Sequence, residues 1–154
     1  MRIRVLGSSG GIAKVHKTTA FLVDDDILVD AGTGVGELSL AEMQNIRYVF
    51  LSHSHLDHIS HLSFLLDTLF THLKQPIQVF TQQATIDTIK THVFNWQVWP
   101  DFSVLPDAQN PVVSFHALEA GQSIELDGRD IEFYQGNHTV PAVAISVTSQ
   151  GTIT

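Results

Sequence analysis

The sequence predicts an α/β domain in which β-strands and helices are interleaved and pack in layers. Short runs of β-branched and aromatic residues recur along the chain, and two longer stretches carry apolar residues at helical spacing. Hydrophobic residues make up 44% and charged residues 16% of 154 residues, as in an ordinary globular protein. A chain of this length can bury a core of its own, so we expect residues 1–154 to form a single domain.

The first third of the chain predicts three strands and a short helix. Residues 2–6 form the first strand, and a glycine-rich turn follows it. The segment TTAFLVDDDILVDAG predicts two strands joined at the acidic run 24–26, which serves as the hairpin turn. After a loop at GTGVGEL, Ser39 and Glu42 have the spacing of a capping box and predict the start of a short helix.

The middle of the chain predicts a strand–helix–strand–helix succession. Residues 46–52 are apolar on both faces, as in a buried central strand. Apolar residues then recur with helical period from 58 to 73. A strand at 76–81 and an amphipathic helix at 82–94 follow, and residues 95–111 form a loop containing three of the five prolines. The remaining chain predicts strands at 112–118, 122–126, 130–135, 142–147 and 151–154.

Composition narrows the range of functions. There is no cysteine, so disulfides and thiolate metal sites are excluded, and any metal must be held by imidazole and carboxylate groups. The formal net charge is −8 with no cluster of Lys and Arg, which disfavours nucleic acid as a partner. No apolar run is long enough to cross a bilayer, and the N-terminal residues do not resemble a signal peptide, so we expect a cytoplasmic location.

The stretch LSHSHLDHISH, residues 51–61, carries four of the nine histidines together with Asp57. It follows the predicted central strand, at the end where α/β proteins place their sites. His53 and His55 alternate along extended chain, while Asp57 and His58 begin the next helix, so the motif can present two ligand pairs to two metal ions. The alternative is a set of surface histidines with Asp57 as a helix cap. We favour metal binding.

These residues resemble the metallo-β-lactamase superfamily, in which HSHLDH follows a strand such as YVFLS. The segment LVDAGTG places Asp30 where that superfamily has an aspartate, and GNHTVP places His138 where it has a further metal-binding histidine. The resemblance extends over essentially the whole chain. It implies the metallo-β-lactamase αβ/βα sandwich with a metal site at one edge, apparently truncated here in its second half.

Within the superfamily, HSHLDHI, HVFNWQVWPDF and NHTVPAVAISV look like the class II 3′,5′-cyclic-nucleotide phosphodiesterases. That likeness implies a hydrolase that converts cyclic AMP or cyclic GMP to the 5′-nucleotide. One departure is His61, which stands where the family usually has a small residue. We consider His61 both as a candidate substrate contact and as a solvent-facing helix residue, and favour the latter.

The resemblance also implies roles for individual residues. It assigns His53, His55 and His138 to one metal, and Asp57 and His58 to a second. Zinc is the favoured ion, with manganese or iron as alternatives, and a hydroxide bridging the ions would attack phosphorus. Asp57 would also guide a proton to the leaving oxygen, and Asp30 would hold a ligand histidine in orientation.

Other aromatic and histidine residues carry weaker signals. Trp96 and Trp99 are candidate substrate contacts that could stack on a purine base, although packing the loop onto the domain explains them equally well. The remaining histidines are expected to be surface or core residues rather than ligands: His16, His72, His92 and His116.

Alternatives stay open at this point. The tRNA 3′-processing ribonucleases of the same superfamily usually have glycine where this chain has Leu56, and a basic RNA-binding arm that this chain lacks. The superfamily site also needs a bridging aspartate and a final histidine, but no Asp or His follows His138. We therefore expect a fragment of a longer enzyme; a partner chain, such as a homodimer would provide, or a metal-binding module without turnover are the alternatives.

Overall fold

The computed structural model describes residues 1–149 and 152–153. Its helices are α1 Leu40–Met43, α2 Leu56–Ile59, α3 Leu62–Leu69 and α4 Gln83–His92, and a 3-10 turn spans Thr33–Glu37. Its strands are β1 Ile3–Gly7, β2 Ala20–Val23, β3 Ile27–Val29, β4 Tyr48–Phe50, β5 Ile77–Thr81, β6 Pro106–Asp107, β7 Asn110–Pro111, β8 Val113–Ala117, β9 Ser123–Leu126, β10 Arg129–Gln135, β11 Val143–Ser149 and β12 Thr152–Ile153. The strands and helices are interleaved, as the sequence predicts.

The strands form two main sheets. The first has the order β1-β2-β3-β4-β5-β8; its first three strands are antiparallel, and β3, β4, β5 and β8 are parallel. The second is an antiparallel sheet of order β12-β11-β10-β9, and β6 pairs with β7 in a small ribbon. The parallel strands of the first sheet end at a common edge, where a site can form.

The central strand β4 shows how the layers are held together. Its side chains alternate between faces, as in any strand. Tyr48 and Phe50 pack toward the second sheet, in a cluster that includes Phe133 of β10. Val49 instead joins a second cluster with helix α3. All three β4 residues are buried, so the doubly apolar pattern at 46–52 correctly predicts a central strand.

The helix predicted over 58–73 is wrong in its start and in its continuity. Helix α2 begins at Leu56, and α3 begins at Leu62 after a break at His61. The break has a local cause. The His61 N–H donates to the Ala31 carbonyl (2.8 Å), and the Ala31 N–H donates to the His58 carbonyl (2.6 Å). These backbone groups therefore bond to the loop after β3 instead of continuing the helix. Apolar periodicity cannot reveal such tertiary hydrogen bonds.

Other predictions are confirmed within small boundary shifts. Ser39 and Glu42 form the expected capping box at the start of α1. The segment 95–111 is a loop except for the β6–β7 ribbon. Of the strand predicted at 151–154, β12 covers Thr152–Ile153; residues 150, 151 and 154 lie outside the described residues. Among the residues that the structure describes, no helix has both the length and the apolar character needed to span a bilayer.

Candidate metal centre

The predicted site lies at the carboxyl edge of the parallel strands. Asp30 follows β3, and Ser52 and His53 follow β4. Because β3 and β4 are parallel and paired from Ile27 with Tyr48 onward, their ends lie side by side. The histidine motif therefore leaves a buried strand next to a buried carboxylate.

The motif is held in place by the start of α2. His55 is the residue before the helix and has extended backbone angles, φ −67° and ψ 146°, and Asp57 and His58 lie in the first turn. Gly32 packs directly against this turn, since a Cβ atom there would meet the Asp57 carbonyl oxygen at 2.2 Å. A larger residue at 32 would displace the segment that carries the motif.

His138 reaches the motif from the hairpin between β10 and β11. The Gly136 N–H donates to the Ala142 carbonyl at 2.9 Å, which closes the loop. The Val143 N–H donates to the Ser52 carbonyl at 3.0 Å, which ties the loop to the end of β4. These two bonds bring His138 beside residues more than eighty positions earlier in the chain.

His53, His55 and His138 each offer a ring nitrogen, and these three atoms lie within 4.8 Å of one another. His138 Nε2 and His55 Nδ1 are 3.1 Å apart. Ligand atoms on one tetrahedral zinc are about 3.3 Å apart, because each lies roughly 2.0–2.1 Å from the ion. The His55 and His138 nitrogens thus have close to the spacing that a shared ion requires, and the His53 nitrogen lies within 4.8 Å of both.

The inner nitrogen of His53 supports this interpretation. His53 is buried, and its Nε2 has no hydrogen-bond partner among residues 1–149 and 152–153. Burial and then the charge of neighbouring His58 lower the pKa of His53 to about 4. The ring is therefore neutral at neutral pH and presents a free lone pair, as a metal ligand must.

Asp57 and His58 form a second group of donors beside the three histidines. His58 Nε2 lies 3.3 Å from Asp57 Oδ2, and the His53 and His58 rings are 4.0 Å apart between centroids. The structure therefore brings all five sequence-predicted ligands to one place: His53, His55, Asp57, His58 and His138.

Asp30 is a buried carboxylate that contacts His58 on the ring nitrogen facing away from Asp57. It is 3% exposed and has a left-handed backbone, φ 57°, which is costly for a residue other than glycine. Its carboxylate accepts from the Ser52 N–H at 2.8 Å and lies 2.7 Å from His58 Nδ1. Burial lowers the pKa of His58, but the hydrogen bond and charge of Asp30 and the charge of Asp57 outweigh it, so the pKa is raised.

The three candidate substrate contacts lie in different surroundings. Trp99 lines a cavity of about 580 Å³ together with Leu56 and Phe64, and its Nε1 is buried without a partner in the described part of the chain. Trp96 is 62% exposed and is not among the residues that line this cavity. His61 borders a smaller hollow with Phe64, and burial, together with the charge of Lys17, lowers its pKa.

Sequence reasoning missed Ser52. Its hydroxyl oxygen lies 2.9 Å from Asp30 Oδ2, 3.0 Å from His53 Nδ1 and 3.3 Å from His58 Nδ1. The available signal was a single hydroxyl residue that ends an apolar strand directly before the first histidine. Only the fold shows that this hydroxyl lies between the two imidazoles and the carboxylate.

Two curated relatives match part of the chain. It is 37% identical over 93 residues to a probable 3′,5′-cyclic-nucleotide phosphodiesterase of Yersinia pestis, covering 60% of this chain and 25% of that protein. It is 29% identical over 125 residues to a 3′,5′-cyclic-nucleotide phosphodiesterase of Aliivibrio fischeri, covering 63% and 36% respectively. The matched stretch thus spans a quarter to about a third of these relatives' length.

Solved structures share the fold. The metallo-β-lactamase fold protein YhfI from Bacillus subtilis matches with a TM-score of 0.74 at 20% identity, over 98% of this chain and 58% of that one. Unliganded yeast PDE1 gives 0.71 at 18%, over 94% and 60%. The short form of human tRNase Z gives 0.69 at 20%, over 99% and 67%. These neighbours confirm the predicted metallo-β-lactamase fold.

A family model decides between the relatives that this fold allows. The model for class-II cAMP phosphodiesterases matches residues 37–139, which include the motif at 53–58 and His138. This match covers about two thirds of the chain and nearly the whole candidate site. The chain therefore belongs to the family of class-II cAMP phosphodiesterases.

Proposed function

We propose that this protein is a metal-dependent hydrolase that converts 3′,5′-cyclic nucleotides to 5′-nucleotides. The observation that carries the proposal is the coincidence of two findings. The family match spans residues 37–139, and within that range the structure gathers His53, His55 and His138 around one point. The two curated relatives are cyclic-nucleotide phosphodiesterases by name, which supports the same substrate class here.

The donor set fits divalent ions. Three imidazoles whose ring nitrogens lie within 4.8 Å of one another would hold one ion, and Asp57 with His58 would contribute to a second. Zinc suits this nitrogen-and-oxygen ligand set, as do manganese and iron. When bound, such ions neutralise phosphoryl charge and make water a stronger nucleophile at neutral pH.

The chain's own residues supply orientation and proton transfer. Asp57 is a partly exposed carboxylate in the first turn of α2, where it can accept the proton released by the attacking water and pass it to the departing 3′-oxygen. Asp30 fixes the ring of His58 through the 2.7 Å contact at Nδ1, so that Nε2 faces the site. These roles divide the chemistry between an outer carboxylate that moves a proton and a buried one that does not.

The cavity beside Leu56 and Trp99 supports a place for the nucleoside. It adjoins the motif through Ser54 and Leu56, which flank His55, and its walls are mostly apolar and aromatic. Thr88 and His92 add hydrogen-bonding groups. We propose that a purine base enters this cavity against Trp99. Trp96 and His61 lie outside its lining and stay weaker candidates for substrate contact.

The test measures hydrolysis of cyclic AMP and cyclic GMP by the native-length protein, with and without a chelator. We expect chelator-sensitive formation of the 5′-nucleotide and no processing of a tRNA precursor. Cleavage of the tRNA precursor without cyclic-nucleotide turnover would support the ribonuclease alternative, which the formal net charge of −8 disfavours. Metal binding without turnover of either substrate would support a non-enzymatic metal-binding module.

Several finer points stay predictions. They are the presence of two ions rather than one, a homodimeric assembly, a cytoplasmic location, and the folding of residues 1–154 as a single domain. Analytical ultracentrifugation with and without zinc would address the assembly.

A further inference from the structure

The end of β4 contains a hydrogen-bonded chain that links two metal-ligand candidates through one serine. Ser52 Oγ lies 2.9 Å from Asp30 Oδ2 on one side and 3.0 Å from His53 Nδ1 on the other. His58 Nδ1 lies 2.7 Å from the same carboxylate oxygen. We propose that Ser52 is a positioning residue that extends the orienting effect of Asp30 to His53, so that one buried carboxylate fixes both imidazoles.

Counting protons gives the direction of each bond. The Asp30 carboxylate can only accept, so the Ser52 hydroxyl donates its single proton to Oδ2, and the N–H at His58 Nδ1 donates to the same oxygen. Having donated its proton, the hydroxyl oxygen accepts from the N–H at His53 Nδ1. Both rings are thereby protonated at Nδ1, so Nε2 is the atom of each ring that is left for a metal ligand bond.

Two further contacts agree with this assignment. His53 Nε2 is the buried nitrogen without a partner among the described residues, as expected for a lone pair reserved for a ligand. His58 Nε2 lies 3.3 Å from Asp57 Oδ2, an arrangement in which a bound cation would offset the repulsion between the two acceptors. The relay therefore leaves one free acceptor for each of the two predicted ions.

Asp30 and Ser52 also support each other through the backbone. The Ser52 N–H donates to Asp30 Oδ1 at 2.8 Å, so Ser52 forms hydrogen bonds with both oxygens of the carboxylate. Asp30 is 3% exposed and has a left-handed backbone conformation, which is unfavourable for a residue other than glycine. The hydrogen bonds with Ser52 help to offset this conformational energy. Removing only the hydroxyl would leave the backbone bond in place, and the effect on His53 can then be separated from an effect on folding.

This inference rests on the proposed metal centre, and its test separates the two. Nitrogen-15 NMR of histidine side chains in the metal-free protein, at about pH 9 where imidazole is neutral, reports the tautomer of His53 directly. We expect the Nδ1–H form in the wild type, loss of that preference in Ser52→Ala, and its recovery in Ser52→Thr. Threonine keeps the hydroxyl group, and a cavity of about 370 Å³ borders Ser52.

Zinc titration of the same proteins gives the second readout. We expect Ser52→Ala to bind zinc about 10–100-fold more weakly than the wild type, with threonine restoring affinity. Ser60→Ala is the matched control, since its hydroxyl lies 3.2 Å from His61 Nδ1 but does not contact Asp30. It should change neither readout.

The two measurements distinguish a failure of the Ser52 relay from a failure of the metal centre. An unchanged His53 tautomer and unchanged zinc affinity in a folded Ser52→Ala protein would overturn the relay while leaving the metal centre standing. A tautomer that responds to Ser52→Ala in a wild-type protein that binds no zinc would support the relay and overturn the proposed metal centre.

Discussion

The two ends of the parallel strands differ in how their buried polar groups are paired. At the edge where β3 and β4 begin, Asp26 precedes β3. Arg129 of β10 is 7% exposed and donates to both carboxylate oxygens of Asp26, at 2.7 and 2.8 Å. Arg47 bridges Asp26 and Asp127, each at 2.7 Å. At this edge, ion pairs between residues of the chain join the second sheet to the first.

At the opposite edge, polar atoms are buried without partners. Within the described residues, the buried side-chain atoms lacking a hydrogen bond are His53 Nε2 after β4, Gln82 Oε1 after β5 and Trp99 Nε1 beside the cavity. Buried polar atoms are costly unless they are paired, so these atoms are available to a ligand. The difference supports our proposal that the metal centre lies at this second edge (the binding edge), whereas the charges of the first edge (the stability edge) stabilise the fold.

Removal of two histidines should have the largest effect on the binding edge. In His53→Ala/His55→Ala, two of three clustered nitrogens are lost, and we expect retained zinc to fall to background after mild dialysis. Elemental analysis per chain measures this, and His16→Ala/His72→Ala is the control that leaves the cluster intact. Equal zinc retention in the two double variants would contradict the contrast between the edges.

Asp26→Asn tests the stability edge. It removes the nearest countercharge of the buried Arg129 guanidinium and leaves only the longer contacts with Asp24 at 3.4 Å and Asp127 at 3.9 Å, so we expect a loss of about 3 kcal/mol in the free energy of unfolding. Urea unfolding followed by circular dichroism measures this. Zinc retention should be unchanged in the folded variant, because Asp26 lies at the opposite edge. A variant as stable as the wild type would contradict the role assigned to this network.

The same pair predicts a pH dependence. Burial raises the pKa of Asp26, but hydrogen bonds and charges from Arg129 and Arg47 outweigh it and lower the pKa below its ordinary value. Its stabilising contribution is therefore present above the ordinary carboxyl pKa, about 3.9, and is lost as pH falls through the lower folded-state pKa. Asp26→Asn should flatten the fall in stability over that acidic range, as measured by urea unfolding at several pH values.

Gly32→Ala should have an intermediate effect at the binding edge. The new methyl group would meet the Asp57 carbonyl oxygen as well as Thr18 and the Thr19 carbonyl oxygen, so the first turn of α2 or the chain before β2 must shift. We expect a cost of about 1–3 kcal/mol in stability and weaker zinc binding. Gly36→Ala is the control, because a Cβ atom there meets nothing within 4 Å. Equal zinc affinity in both variants would show that α2 tolerates the shift.

Arg2→Ala should have the smallest effect. Arg2 pairs with Asp25 at 2.6 Å, but both side chains are about 70% exposed, with relative values of 69% and 71%. Exposed ion pairs contribute less than about 1 kcal/mol. Thermal unfolding of this variant beside Asp26→Asn would show whether burial, rather than ion-pair count, makes the stability edge. A loss comparable to that of Asp26→Asn would argue against that explanation.

The sequence predicts the binding edge better than the stability edge. The ligand residues are recognisable because His53, His55, Asp57 and His58 are close in sequence and follow an apolar strand. The pairing of Arg129 with Asp26 joins residues 103 positions apart, and no local pattern announces it. Ser52 was missed for a related reason, since a hydroxyl residue is informative only when its neighbours in space are known.

Helix continuity was also beyond the sequence. Apolar spacing from 58 to 73 is compatible with one helix, but backbone hydrogen bonds with Ala31 break it at His61. His138 was found through its GNHTVP motif, whereas its position follows from the Val143 bond to Ser52. Tertiary hydrogen bonds therefore set those details that local periodicity leaves open.

Anomalous diffraction from crystals of the zinc-loaded protein, recorded on both sides of the zinc absorption edge, tests the central claim most directly. We expect a peak roughly 2.0–2.1 Å from His53 Nε2, His55 Nδ1 and His138 Nε2, with the Arg129 edge free of any peak. Zinc located away from these three nitrogens, or no peak in a protein soaked at saturating zinc, would contradict the assignment of this edge as the metal centre.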